Sequence, residues 1–259
     1  MFSVQRQNER SNQLQQERNP IISMRNVSKR FGSVVALDNL NLDIYESQIL
    51  AVVGNNGAGK STLVKALSGA HAIDSGEIII NGHRFNGLTP ALADKEGIVT
   101  VYQDLSLVDT RDLVSNIFLG REYVLWGFWI ERRRMKIDAC RVLKQLNIDI
   151  PNVEIPVGEL SGGQRQSIAI AKAISQGGKI LILDEPTAAL GVRESKAVLD
   201  LVRNLKSQQY TIIIVSHNLK HVVSVADRLC FIHHGRAVED VDSNLTSEEE
   251  ISKRLAEIG

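Results

Sequence analysis

A glycine-rich loop with a lysine and two hydroxyl residues offers phosphate chemistry early in the chain. It follows the apolar run ILAVV and precedes TLVKALSG, a run with the spacing of a helix. Glycines let backbone N–H groups curl around a phosphate, the lysine adds a point charge, and a hydroxyl can bind Mg²⁺. The sequence therefore predicts a phosphate-binding P-loop, whose residues are Gly54, Asn55, Asn56, Gly57, Ala58, Gly59, Lys60, Ser61 and Thr62.

Two acids close a later apolar run, ILILDE. Asp184 at the end of this predicted strand can hold Mg²⁺, and Glu185 beside it can polarise an attacking water. By themselves, two adjacent acids after a strand more often mark a strand end exposed to solvent than a catalytic site. The P-loop favours the catalytic interpretation, because a nucleotide triphosphatase needs a carboxylate on a neighbouring strand.

Two further polar residues follow apolar runs of the same kind. His217 ends YTIIIVSH, where it can sense a terminal phosphate, and Gln103 follows IVTVY, where it can reach Mg²⁺ and water. In isolation each is an ordinary surface residue. Their position at strand ends places them at the edge where the P-loop and the acids are expected.

A second glycine-containing stretch, LSGGQRQ, lies 100 residues after the P-loop and has no lysine. It precedes the helical run SIAIAKAI, so Ser161, Gly162, Gly163 and Gln164 are expected at a helix N-terminus. The free N–H groups there attract anions. The sequence thus contains two separate anion-binding loops.

The surrounding elements predict an α/β protein with a P-loop core. Strand-like runs begin after residue 20. A helical insert spans about residues 104–178, and strands and helices alternate afterwards. This order predicts a parallel sheet covered by helices, an antiparallel β subdomain and the helical insert. Residues 1–20 are polar without apolar periodicity and are expected to form a disordered tail before a domain at 21–259.

Composition restricts the function classes. Lys and Arg number 30, as do Asp and Glu, so the chain has no overall basic charge for wrapping nucleic acid, and none is expected as a partner. The two cysteines, Cys140 and Cys230, have no metal-ligand spacing and are expected to be packed thiols. No signal peptide or run of about 18 apolar residues is present, so any membrane role depends on a partner.

In this order the motifs resemble those of the ATP-binding cassette (ABC) ATPases, over nearly all of residues 21–240. The resemblance implies ATP and Mg²⁺ as cofactors and identifies Gln103 as the Q-loop glutamine, LSGGQRQ as the signature and His217 as the switch histidine. It also implies that Phe31 stacks on adenine. In such ATPases two cassettes pack head to tail, so Ser161 and Gly163 serve the partner's ATP, and a homodimer is expected.

Residues 97–122 resemble the bacterial monosaccharide import ATPases, and the AALG segment is similar to the single-cassette, fructose-type members. This implies a sugar importer on the cytoplasmic face of the membrane, with membrane permease subunits and, indirectly, a sugar-binding protein. A cytosolic ABC ATPase acting on nucleic acid, ribosomes or cofactor assembly, or an exporter ATPase, are the alternatives. Gly191 stands where the family usually has an Asp, which implies altered coupling between the two sites.

Tyr123, Trp126, Phe128 and Trp129 form an aromatic cluster within the predicted insert. The favoured expectation is a loop whose rings pack onto the insert's own helices. The alternative is an interface with a membrane permease, since exposed aromatic clusters commonly mark interfaces. The following residues 132–134, all arginine, are expected to form a solvated helix face.

Overall fold

The computed structural model describes residues 19–243, 249–251 and 253–254, which form three sheets surrounded by helices. Most of the predicted tail, residues 1–18, lies outside the described residues. The strands are β1 (Ile22–Phe31), β2 (Val34–Ile44), β3 (Ile49–Val53), β4 (Ser75–Ile80), β5 (His83–Phe85), β6 (Ile98–Val101), β7 (Val124–Leu125), β8 (Trp129–Ile130), β9 (Ile180–Asp184), β10 (Thr211–Val215), β11 (Arg228–His233) and β12 (Arg236–Asp242). The helices are α1 (Lys60–Leu67), α2 (Pro90–Lys95), α3 (Leu113–Ile117), α4 (Arg132–Gln145), α5 (Gly162–Ser175), α6 (Val192–Ser207) and α7 (Leu219–Val223), with a 3₁₀ turn at Val157–Glu159.

The central sheet has the strand order β12-β11-β3-β10-β9-β6. Its strands are parallel except β12, which pairs antiparallel with β11. β3 and β10 are buried at every residue, as expected for parallel strands covered on both faces. The predicted parallel sheet is therefore present, and its carboxyl edge gathers the loops after β3, β6, β9 and β10.

A four-stranded antiparallel sheet, in the order β2-β1-β4-β5, forms the predicted β subdomain. It meets the central sheet where the backbone N–H of Asp38 donates to the carbonyl of Gly235 over 3.0 Å. The Asp38 carboxylate also pairs with Arg236 at 2.6 Å. β2 is thereby fixed beside the turn that joins β11 to β12.

The central sheet separates two hydrophobic cores. Along β3, Ile49, Ala51 and Val53 face the core that contains the insert, α5 and α6, whereas Leu50 and Val52 face the core that contains α1 and the antiparallel sheet. This alternation follows from the two-residue period of a strand. The P-loop follows β3 and so lies at the boundary of both cores.

The predicted helical insert contains α3, α4 and α5, but it also contains a β-hairpin. β7 and β8 pair through Val124 with Ile130 and Leu125 with Trp129. The glycine and aromatic residues between them favour a turn over a helix. No helix among the described residues combines the length and hydropathy needed to cross a membrane.

The expectation that the aromatic rings pack onto the insert's helices is wrong for three of the four residues. Trp126, Phe128 and Trp129 are 81%, 69% and 63% exposed. Only the Tyr123 ring packs inward, with its centroid 4.9 Å from that of Phe118. The hairpin directs these side chains away from α3 and α4. The apolar periodicity of the sequence does not show in which direction a hairpin points.

The other two expectations about isolated features have mixed outcomes. Cys230 is buried, but Cys140 is exposed on α4, so only one cysteine is a packed thiol. The arginines at 132–134 are all exposed, in agreement with a solvated helix face.

Candidate functional site: a P-loop cavity and a separate signature loop

The P-loop connects β3 to α1 through two glycines with positive φ, Gly57 at 81° and Gly59 at 109°. A side chain on Gly59 would also be blocked, because its Cβ would lie 2.4 Å from the carbonyl oxygen of Ala36. Glycine is therefore required at this position on both conformational and steric grounds. The loop delivers Lys60 and Ser61 to the first turn of α1, where backbone N–H groups are free to bind an anion.

The Lys60 ammonium group turns back onto its own loop. Its Nζ donates to the carbonyl oxygens of Gly54 at 2.6 Å and Asn55 at 2.9 Å. Burial lowers the pKa of Lys60, and the carboxylates of Glu185 and Asp184 oppose that shift. A phosphate bound in the loop would supply the negative charge that this buried cation lacks.

Asp184 and Glu185 lie at the end of β9, on the strand separated from β3 only by β10. Burial raises the pKa of Asp184, and the Glu185 carboxylate adds to this effect, while Lys60 and Lys65 oppose it. A cation placed between these acids would relieve their repulsion.

Glu185 is held by the loop that follows β10. One carboxylate oxygen accepts from the backbone N–H of His217 at 3.1 Å and lies 2.8 Å from its ring Nδ1. The other accepts from the Ser216 hydroxyl at 3.3 Å. Glu185 also has a positive φ of 52°, a conformation uncommon outside glycine. The carboxylate is thus oriented by both of its oxygens.

One cavity of about 530 Å³ collects most of the predicted catalytic and nucleotide-binding residues. Gln103 reaches it from the loop after β6, and Val34 and Ala36 line it from β2. Phe31 is not among the lining residues; it is 44% exposed at the end of β1 and packs edge to face against His71 at 5.3 Å. The lining residues from the P-loop and the strand ends are Asn56, Gly57, Gly59, Lys60, Ser61, Thr62, Asp184, Glu185, Val215 and His217.

The signature residues lie elsewhere, at the N-terminus of α5. Ser161 caps this helix: its hydroxyl accepts from the N–H of Gln164 at 3.3 Å, and the Gln164 side chain accepts from the N–H of Ser161 at 3.0 Å. Ser161, Gly163 and Gln164 line a second cavity of about 510 Å³, which shares no lining residue with the P-loop cavity. Within one chain, the two anion-binding loops do not form one site.

Glu194 links the signature to the loop after β9, which sequence reasoning missed. Its carboxylate accepts from the N–H of Gly163 at 3.4 Å and from that of Gly191 at 3.2 Å. Hydrogen bonds from the Ser161 hydroxyl and from these two N–H groups hold the pKa of Glu194 below its ordinary value. The G-x-x-E spacing at the start of α6 could have indicated this residue, because Glu three positions after an N-cap commonly bonds back to it.

Gly191, the departure from the family pattern, is the N-cap of α6. Its N–H is satisfied by Glu194, so a carboxylate is present beside this loop although the usual Asp is absent.

Asn116 is a second residue that the sequence did not single out. It is 1% exposed on α3, and its amide oxygen accepts from the N–H of Val108 at 2.7 Å. Its amide nitrogen donates to the carbonyls of Val108, Arg111 and Asp112 at 3.0–3.1 Å. One side chain therefore fixes the segment that connects the Gln103 loop to the insert.

A P-loop at the carboxyl edge of a parallel sheet, with acids on a nearby strand, defines a P-loop nucleotide triphosphatase. The family model for ABC transporters matches residues 37–188. The chain belongs to this family.

Curated relatives and solved structures agree with that assignment. The chain is 44% identical over 224 residues to the fructose import ATP-binding protein FrcA of Rhizobium meliloti, covering 84% of this chain and 86% of that protein. It is 39% identical to the xylose/arabinose import ATP-binding protein XylG of Sulfolobus acidocaldarius, covering 90% and 92%.

Among solved structures, a nucleotide-free ATP-binding cassette from an ABC transporter superposes with a TM-score of 0.79 at 25% identity, covering 92% of this chain and 96% of that one. A dimeric cassette in a post-hydrolysis state, bound to ADP and Pi, superposes with a TM-score of 0.72 at 25% identity, covering 87% and 99%. The predicted fold class is confirmed.

Proposed function

We propose that this chain is the ATP-hydrolysing subunit of an ABC importer that energises uptake of a monosaccharide through a separate membrane permease. The proposal of ATP binding and hydrolysis rests on one observation, the cavity shared by Lys60, Asp184, Glu185 and His217. The sugar part rests on relatives named as fructose and xylose/arabinose import proteins.

The P-loop residues bind the phosphates of ATP in this proposal. Backbone N–H groups of the loop and of the first turn of α1 surround them, and Lys60 exchanges its two carbonyl acceptors for phosphate oxygens. Phe31 is proposed to stack on adenine; its ring is partly exposed at the end of β1, with the Lys29 ammonium 5.5 Å from the ring centroid.

The oxygen donors of the cavity fit Mg²⁺, which prefers carboxylate, hydroxyl and water ligands. Ser61, Gln103 and Asp184 would hold it, and when bound it neutralises charge on the phosphates. Burial, followed by repulsion from Glu185, raises the pKa of Asp184, and a cation bound beside both acids would oppose these effects.

Glu185 acts as the general base in the proposed reaction. It orients the attacking water and accepts its proton, while His217 and Ser216 hold the carboxylate in place. Because His217 contacts both this carboxylate and the cavity, its position couples the base to the terminal phosphate.

A second cassette completes the site. The signature N-terminus of α5 presents its anion-binding groups in a separate cavity, so it would meet ATP held by a partner chain. The dimeric cassette bound to ADP and Pi supports a head-to-tail homodimer. The subunit would act on the cytoplasmic face of the membrane with permease subunits, and a sugar-binding protein would deliver the substrate to them.

Two measurements test the proposal. The first compares ATP binding and phosphate release by wild type and Glu185→Gln; we expect retained binding and at least a hundredfold slower release, since a general base contributes about 10²–10⁴ in rate. Wild-type turnover in the variant would refute the role of Glu185. The second uses tagged Glu185→Gln to co-purify partners from detergent-extracted membranes with ATP and Mg²⁺. A multi-span permease supports the importer; a soluble or ribosomal partner refutes it and favours the cytosolic alternative.

A further inference from the structure

The aromatic hairpin, residues 123–130, carries the densest group of exposed apolar side chains in the described part of the chain. Six of its eight residues are large apolar residues between 45% and 81% exposed. Exposed patches of this kind mark sites of association with a protein or a membrane. The exposed members are Val124, Leu125, Trp126, Phe128, Trp129 and Ile130.

Both faces of the hairpin are apolar. Val124 pairs with Ile130, and Leu125 pairs with Trp129. Because neighbouring residues of a strand point to opposite faces, these two pairs lie on opposite faces of the ribbon. Trp126 and Phe128 occupy the turn between them.

The base of the hairpin is polar, and most of its cations are in ion pairs. Arg132 pairs with Asp112 at 2.9 Å and Arg134 with Glu131 at 3.5 Å. Arg121 and Lys136 likewise pair with Asp94 and Glu154, at 2.6 and 2.7 Å. Arg133 is exposed and has no ion pair with any described residue, so it is available to an anionic group.

We propose that the aromatic hairpin inserts into the surface of an anionic phospholipid bilayer. From Tyr123 to Trp126 in the turn, three residue steps of about 3.3 Å extend about 10 Å, which matches the depth that interfacial anchors reach. Trp and Phe occupy the boundary between headgroups and acyl chains, and the unpaired Arg133 behind them would lie at the level of anionic headgroups.

A bilayer fits the hairpin better than a protein partner because of its shape. A protein surface covers one face of a two-stranded ribbon and leaves the other exposed, whereas a bilayer surrounds both faces and the turn. The exposure of all six apolar side chains, on two faces and a tip, therefore favours a surrounding apolar medium.

Tryptophan fluorescence tests the proposal directly. The chain has two tryptophans, Trp126 and Trp129, so its indole emission reports on the hairpin alone. Wild-type full-length protein is titrated with vesicles of phosphatidylcholine containing phosphatidylglycerol, and with phosphatidylcholine vesicles. We expect a blue shift and quenching by brominated acyl chains, both stronger with the anionic vesicles.

Two variants separate insertion from other effects. Trp126→Ser combined with Phe128→Ser keeps Trp129 as reporter and should weaken vesicle binding at least tenfold. Ile137→Ser, which removes an exposed apolar residue of α4 outside the hairpin, should bind as wild type does. Thermal unfolding and ATP hydrolysis of each variant verify folding, because the hairpin contributes little to the core.

Three results would overturn the proposal: no shift with either lipid, a shift confined to proteoliposomes that contain the permease, or a concentration-dependent shift without lipid. The second would assign the hairpin to a protein interface, and the third to a second copy of the chain. The vesicle measurement requires neither a permease nor a sugar, so its failure leaves the proposed import function unaffected.

Discussion

Replacing Gly163 with alanine tests how closely the signature helix packs against α6. An added Cβ would lie 2.9 Å from the Cβ of Glu194 and 3.3 Å from its Cα, so the helices must separate by several tenths of an ångström. Overpacking of this kind costs about 1–3 kcal/mol. Alanine in a helix regains about 0.5–1 kcal/mol relative to glycine.

The expected net loss is therefore about 1 kcal/mol, which corresponds to a decrease in Tm of about 2–4 °C for a chain of this size. Thermal unfolding by circular dichroism measures it. Gly162→Ala is the matched control, because its Cβ would meet only the far ends of two flexible side chains, Leu190 at 2.9 Å and Glu194 at 3.8 Å. Its Tm should be unchanged or higher.

Gly163→Ala should also slow ATP hydrolysis at least tenfold. Displacing the signature residues from the partner's ATP by this packing change would then cost about 1.4 kcal/mol of transition-state stabilisation, which is a tenfold change in rate. A Gly163→Ala protein as stable as wild type would refute the packing argument. A destabilised protein with wild-type hydrolysis would instead refute the role of the signature toward the partner's ATP.

The remaining predictions concern the phosphate loop, the insert and the thiols. Lys60→Ala should weaken ATP binding at least tenfold, measured by isothermal titration, because it removes the buried cation of the loop. The control, Lys65→Ala on the exposed face of α1, should change ATP affinity far less. Asn116→Ala should lower the free energy of unfolding by about 2–3 kcal/mol in urea titrations, because it leaves buried backbone groups without partners. Asn116→Asp should be destabilised at least as much, because its buried carboxylate would face the carbonyl oxygens that the amide now binds. Equal stability of both variants with wild type would contradict this. Burial raises the pKa of the Cys230 thiol to about 12. Iodoacetamide at neutral pH should therefore alkylate Cys140 alone in the folded protein and both cysteines in guanidinium. Rapid labelling of Cys230 in the folded protein would disprove its burial.

The strand-end residues could be located from sequence because parallel strands share an edge. Once β9 and β10 are recognised as buried runs, Asp184 and His217 must lie near the P-loop. Because Glu185 follows β9 and His217 follows β10, the contact between them can be expected once the two strands are known to be adjacent. The same reasoning brings Gln103 to the cavity, since β6 is the next strand beyond β9.

Contacts between elements distant in sequence could not be located in this way. Glu194 reaches Gly163 because α6 crosses the N-terminus of α5, and no local pattern specifies that crossing. The aromatic hairpin was likewise placed in a helical region, because two-residue strands are too short to show a period. Its exposure depends on how the insert folds as a whole.

The division of the molecule into two cores has a consequence for how its sequence can diverge. The insert and the antiparallel sheet lie on opposite sides of the central sheet and share no side-chain cluster. A substitution in one core reaches the other through the strands of the central sheet, since β3, β6, β9, β10 and β11 each contribute residues to both cores. The core of the insert can therefore be repacked by substitution without disturbing the side chains packed beneath α1 and the antiparallel sheet.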